Sequence, residues 1–390
     1  MRSILLMVLC CLMSSSLYAQ KKPKISQAEK ALSAGDYATA RDIVDQAPEF
    51  DKLKDDPKTW FLRARVYMAI DTSGTNIVDN PMAEAMASFD KAKGMEGFEK
   101  LSTPDPAGGF LPIFFDQHIT NYWAYYYNQG AAAYGEEDYE NAVAGFEKAQ
   151  AILPSDTNAY INAGLAAHNG ELWDAAMRSY QGALDNGVTS KDIFALYNSI
   201  LTTEKKDYDK ALEITRKARE IYPDDKELAR SEINILIQAD KVDEAKANLE
   251  KQLEEDPDNA NYHFIYGVLL EESGDKDGAK QAYQNAIKAD EEHFNSNFNL
   301  GVILINEATD IIKERNNLGI SDADLKKAEE MDPMIDDKLR SAIPQWERVH
   351  SLDGSDETAM TTLRYIYTQL KQFDKAEAMQ AKIDAAGVEN

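Results

Sequence analysis

The sequence repeats itself. Between Trp123 and Ser190 one pattern is written twice, 34 residues apart: Gly130, Ala142, Phe146 and Ala149, then Gly164, Ala176, Tyr180 and Ala183. A small residue in one helix, opposite Ala-x3-aromatic-x2-Ala in the next, lets the two pack closely as an antiparallel pair. A hairpin of this kind cannot bury its apolar side alone, so neighbouring copies have to stack.

The alanine that admits the second helix marks the register along the chain, at Ala40, Ala85, Ala142, Ala176, Ala211, Ala245, Ala279, Ala342 and Ala376. Four residues on stand Val44, Phe89, Phe146, Tyr180, Thr215, Leu249, Tyr283, Trp346 and Gln380, and seven of these nine are large and apolar. Pro154, Pro223 and Pro257 lie twelve residues after their alanines, where a helix has to end. From Ala142 to Ala279 the intervals are 34, 35, 34 and 34; the others are 45, 57 and 63, before a final 34. The spacing predicts an all-α array of about nine hairpins with three insertions.

Residues 20–96 read as N-terminal hairpins, 121–293 as the regular array, 294–356 as a hairpin with an extension, and 357–390 as a last hairpin or cap. Asp71 to Asn80 is expected to be a polar loop. In the extended hairpin the first helix continues toward Arg315 and breaks at Asn316 to Gly319. A short helix then runs from Ser321 to Glu330, and Asp336 to Leu352 returns, kinked at Pro344.

Residues 97–120 carry Pro104, Pro106, Gly108, Gly109 and Pro112, the composition of an irregular segment. Aromatic residues follow: Phe110, Phe114, Phe115, Tyr122 and Trp123. They form either an exposed ledge that would stack on a glycan or peptide, or a filling for an irregular junction. Large aromatics are mostly buried, which favours the filling, with the tip at Phe110 to Phe115 left outside.

Met1 to Ala19 has the form of a secretory leader: Arg2, an apolar run from Ile4 to Met13, and small or polar residues to Ala19. Ten apolar residues fall short of the roughly 20 that cross a bilayer. The only cysteines, Cys10 and Cys11, would leave with it, so no disulfide or thiol chemistry is expected in the remainder. The expected location is the periplasm or the periplasmic face of the outer membrane. A net charge of -26 disfavours nucleic acid and anionic lipid as partners.

This period and its small-and-aromatic signature resemble those of tetratricopeptide repeat (TPR) proteins over nearly all of the chain after residue 19. The resemblance implies a right-handed α-solenoid with a concave face lined by the first helix of each hairpin. Carried onto this sequence, the lining is Tyr127, Asn128, Ala131, Tyr134, Asn158, Ile161, Asn162, Leu165, Arg230, Asn234, Phe264, Glu271, Phe298, Asn299 and Tyr365. It implies a non-enzymatic scaffold that binds a protein or peptide, in a bacterial cell-envelope or outer-membrane assembly. A helical glycan- or nutrient-binding protein using the aromatic region near residues 110–127 is the alternative. Arg230 and Asn234 come nearest to a basic-and-amide clamp for a carboxylate, but matching basic residues on adjacent first helices are missing.

Catalysis finds no motif. The five histidines are scattered, no glycine-rich phosphate loop is present, and Asp71 to Asn76 lacks the ligand pattern of a calcium loop. No cofactor, metal or catalytic residue is expected.

Overall fold

The computed structural model describes residues 22–386. The expected leader, residues 1–19, lies outside them. The chain divides into two compact units that meet in sequence at Ile200 and Leu201. The regular array read from the sequence as one segment, 121–293, therefore straddles a division that the alanine spacing does not mark.

In the first unit α1 (Ile25–Ser33) pairs with α2 (Tyr37–Gln46), and a short α3 (Asp51–Lys54) follows. Then α4 (Pro57–Ser73) pairs with α5 (Pro81–Lys93), α6 (Phe115–Gly135) with α7 (Tyr139–Ile152), and α8 (Thr157–Asn169) with α9 (Trp173–Asp185); α10 (Lys191–Ser199) closes the unit. The second unit opens with α11 (Tyr208–Ile221). It continues as the pairs α12 (Lys226–Gln238) and α13 (Val242–Glu255), α14 (Ala260–Glu272) and α15 (Lys276–Ala289), α16 (Phe294–Asn316) and α17 (Asp322–Leu352), and α18 (Glu357–Gln369) and α19 (Phe373–Ala386).

The register alanines are all buried, and so are eight of the nine side chains four residues on. The ninth, Gln380, is half-buried and accepts a hydrogen bond from Arg364 at 2.8 Å. Each buried ring contributes roughly 1.5–3 kcal/mol of hydrophobic stabilisation. The facing glycines show why they are there. A Cβ on Gly164 would stand 2.4 Å from Tyr180, one on Gly267 2.6 Å from Tyr283, and one on Gly301 2.8 Å from Trp346.

The turns inside the hairpins share one geometry. Gly35, Glu137, Glu171, Lys206, Asp240, Gly274 and Lys371 all have positive φ, between 53° and 86°. In most of them the residue after this one donates its N–H to the carbonyl five residues back, as in Leu172 to Ala167 at 2.7 Å and Lys241 to Leu236 at 2.9 Å. This is the helix-ending motif that satisfies otherwise orphaned carbonyls. The exception is Asp207, which reaches six residues back to Leu201 at 2.8 Å. The extra residue is held in a π-helical turn, Ile200–Glu204. A π turn is a one-residue insertion in an α-helix, and the interval containing it, Ala176 to Ala211, is the single 35 in the run of 34s.

Three segments differ from the sequence reading. Residues 97–120 are not irregular throughout. Ser102–Thr103 (β1) pairs antiparallel with Ile113–Phe114 (β2), and α6 starts at Phe115, because Phe115 and His118 are anchored in the core of this unit. The helix α4 runs on to Ser73, three residues into the expected polar loop, and Gly74 ends it in the left-handed region. The expected short helix and kinked return helix are one element, α17, which contains both Pro333 and Pro344. Met331, Ile335, Leu339, Ala342, Trp346 and Val349 form one continuous buried stripe along it, and this packing outweighs the hydrogen bonds lost at the prolines.

Candidate interaction surfaces

The fifteen residues assigned to the groove lie on first helices of hairpins, and none is buried. In the first unit Asn128, Ala131, Tyr134 and Asn158 are exposed, and Tyr127, Ile161, Asn162 and Leu165 are half-buried. Two side-chain bonds tie α6 to α8 across this face. Asn162 Nδ2 donates to the Tyr127 hydroxyl at 2.5 Å, and Asn169 Nδ2 to the Tyr134 hydroxyl at 2.7 Å. Asn162 and Asn299, each two residues before the facing glycine of its hairpin, therefore differ. Asn162 is tied to a tyrosine of the preceding first helix, whereas Asn299 donates to Tyr283 at 3.1 Å, whose hydroxyl in turn donates to Glu271 at 2.9 Å.

In the second unit Arg230, Asn234, Glu271 and Tyr365 are exposed, and Phe264, Phe298 and Asn299 are half-buried. Arg230 and Asn234 share a cleft of about 380 Å³ with Lys226, Asn259, Asn261 and Tyr262, between α12 and α14. Its cations are already paired: Arg230 with Glu227 at 2.5 Å and Lys226 with Asp256 at 3.5 Å. Tyr365 belongs elsewhere. It lines a cleft of about 590 Å³ between the α16–α17 hairpin and α18, with Ile312, Arg315, Asp332, Ile335, Leu339 and Lys371. The sequence reading did not assemble this cleft. The signal for it was the interval of 63, which lengthens one hairpin so that its side overlooks the next.

The aromatic ledge separates into two kinds of residue. Phe110 is fully exposed and Phe114 half so, at 107% and 49%. Phe115 and Tyr122 are buried and offer no surface, which corrects their assignment to a ledge. Phe115 is enclosed by the rings of Phe61, Phe89 and Phe98, with centroids 5.4–5.5 Å away. Tyr122 is drawn inward by Asp71, to which its hydroxyl donates at 2.5 Å; Tyr126 donates to the same carboxylate oxygen. Burial, and then the Asp71 carboxylate, push both phenol pKa values up, so both remain donors. Trp123 is half-buried, with its ring stacked on Tyr127 at 4.7 Å and 26°.

The base of the insertion is fixed by a buried pair, Thr103 Oγ1 and His118 Nε2, 2.9 Å apart. Burial, followed by the charge of Arg65, lowers the His118 pKa to about 4, so the ring is neutral near pH 7. Among the described residues no group of three or more His, Cys, Asp and Glu side chains is placed to hold a metal. No helix among them is long and apolar enough to cross a membrane.

Residues 203–268 and 260–293 each match a family model described as tetratricopeptide repeat. The chain carries tetratricopeptide repeats. Solved structures that resemble it include YrrB, described as a TPR protein with an unusual peptide-binding site, at 23% identity over 44% of this chain and 88% of that one, with a TM-score of 0.35. They also include a MamA protein, at 16% identity over 44% and 92%, with a TM-score of 0.35. MamA from Desulfovibrio magneticus RS-1 is 16% identical over 47% and 96%, with a TM-score of 0.33. Comparison with curated proteins returns no match. Stacked TPR hairpins make the chain a scaffold for protein–protein interaction.

Proposed function

We propose that this TPR-containing protein is an exported scaffold that holds a protein partner against the first helices of its hairpins, as part of a bacterial cell-envelope or outer-membrane assembly. One observation carries the reading. None of the fifteen first-helix positions is buried and eight of them are exposed, while the register alanines of the same hairpins are buried. The hairpins thus spend their apolar sides on one another and leave a second side for something else. The leader-like start of the sequence supports export. The α16–α17 hairpin adds a second contact, through the cleft at Tyr365.

The test is cross-linked capture of the tagged full-length chain from intact cells, with fractionation, beside a variant in which residues 316–331 are replaced by a short turn. Recovery from the envelope fraction with one defined envelope protein supports the proposal, and loss of that protein in the variant places the contact on the extended hairpin. Recovery from the cytoplasm, or no envelope protein in either form, refutes it.

A further inference from the structure

Residues 117–135 and 157–170 contain no Asp, Glu, Lys or Arg, in a chain that is 28% charged. They make up α6 beyond its first two residues and the whole of α8. The only histidines there are His118, which is buried, and His168, which is half-buried. The exposed surface of the two helices is therefore amide, hydroxyl and small apolar, with Asn128, Ala131, Tyr134, Asn158 and Asn169 on it. The second unit differs, since Arg230 and Glu271 lie among its first-helix positions. A solvated helix face with no task is ordinarily charged; elsewhere among the described residues the longest runs without charge are 259–270, over most of α14, and 293–306, over the first part of α16, and each is closed by glutamates, Glu271 and Glu307.

The neutral strip is also ordered. The Tyr127–Asn162 and Tyr134–Asn169 bonds are two rungs, seven residues apart on both helices. Seven residues of helix rise about 10.5 Å, close to three residues of extended chain at about 3.3 Å each. Each rung leaves a tyrosine O–H to donate and an asparagine Oδ1 to accept. The rings behind the hydroxyls are already engaged, Tyr127 by Trp123 and Phe146 and Tyr134 by Tyr139. The rungs thus offer polar tips, suited to a main chain, more than open ring faces, suited to a sugar.

We infer that the α6–α8 strip docks an extended peptide segment that is itself free of charged side chains. This rests on the scaffold reading above and adds the chemistry of the partner. A charge-free strip makes no ion pairs, so a charged side chain brought against it would lose its hydration without compensation. Selection is by exclusion of charge, and the interaction is insensitive to salt.

The experiment uses the full chain and arrays of 15-residue synthetic peptides in uncharged, acidic and basic sets, beside an array of neutral oligosaccharides. Affinities of the best binders are then measured for the native chain, Ala131→Glu, Ala131→Lys and the near-isosteric Asn128→Asp, at low and high salt. Both positions are exposed on a helix, and circular dichroism confirms that the fold is kept. The expected result is that uncharged peptides bind, that all three substitutions weaken them by about tenfold or more whatever the sign of the new charge, and that salt changes the affinity by less than about twofold. Charged peptides that respond in opposite directions to Ala131→Glu and Ala131→Lys would overturn the inference but leave the scaffold reading standing. So would peptides indifferent to all three variants. Binding of oligosaccharides alone, or of nothing, overturns the inference; if capture from cells also fails, the scaffold reading falls with it.

Discussion

Gly130 on α6 and Gly145 on α7 bring two backbones into close approach, which sets up an exchange of one atom with opposite signs at two sites. A methyl group on Gly145 would stand 2.6 Å from the Gly130 nitrogen and 2.7 Å from its Cα. Carbon atoms in contact are normally about 3.5–4.0 Å apart, so α6 and α7 would have to separate by roughly 1 Å. No side chain can rotate away, because the obstructing atoms are main chain. Overpacking of this kind costs about 1–3 kcal/mol or more, against a gain of about 1 kcal/mol from alanine's better helix propensity. With main chain as the obstruction the cost lies at the upper end of that range, so Gly145→Ala is expected to lower stability by about 2 kcal/mol net. Gly135, at the end of α6, has nothing within 4 Å of its would-be Cβ. Gly135→Ala keeps only the propensity term, reduced at a helix end, and should raise stability by about 0.5 kcal/mol. Urea midpoints followed by circular dichroism, with hydrogen exchange reporting on α6 and α7, measure both. Equal effects, or a stabilised Gly145→Ala, would refute the close approach and the pairing of these helices with it.

Asp71→Ala should cost about 2–4 kcal/mol, because two tyrosine hydroxyls lose their common acceptor inside the first unit; a urea-midpoint change worth less than about 1 kcal/mol would remove Asp71 as the pin between α4 and α6. Glu171 holds a left-handed backbone at φ 57°, so Glu171→Gly should stabilise by about 0.5–1 kcal/mol, the relief of strain less the extra entropy of glycine in the unfolded chain; a lower thermal midpoint would contradict the turn geometry. For His118 the folded pKa, about 4, lies below the unfolded value of about 6.5. The unfolded chain therefore takes up the proton first as the medium is acidified. Stability present above about pH 6.5 is lost as the pH falls toward 4, by on the order of 2 kcal/mol. His118→Gln should remove that part of the acid dependence, which unfolding at pH 7 and pH 4.5 would show; an unchanged pH slope would place the titration elsewhere.

What could be read from the sequence follows from what repeats. The alanine, the aromatic four residues on and the facing glycine recur because every hairpin closes by the same contact, and the structure places them where the period puts them. The aromatic segment was legible only as composition. Whether Phe115 is core and Phe110 is surface depends on β1 and β2, a pairing of two residues with two that no periodicity announces. For Tyr122 the sequence offers only the general preference of large aromatics for burial, because nothing in its neighbourhood reveals Asp71, which stands 51 residues earlier in a stretch that reads as a loop. In α17 the prolines gave a local signal for a break, and a stripe of six buried residues overrode it. The first-helix face was reached through the resemblance to TPR proteins. Its lack of charge over α6 and α8 could have been counted from the sequence alone, but the tyrosine–asparagine rungs that order it required the two helices to be side by side.

The π turn at Ile200–Glu204 bears on how such a chain changes length. A residue added within a helix of a repeat array would ordinarily rotate everything after it by about 100°, turning buried positions toward water. Here the addition is absorbed where it occurs. The next turn still closes, through Asp207 and Leu201, and the following hairpins resume their 34-residue step with the same side chains inside. The hairpins of the second unit are thus out of step by one in their numbering, while their own register residues stay inside. Deleting one residue between 200 and 204 should restore an α-helical turn and leave every later contact as it stands, which makes this turn a place where insertions and deletions are neutral to the fold while the same change two turns earlier is not.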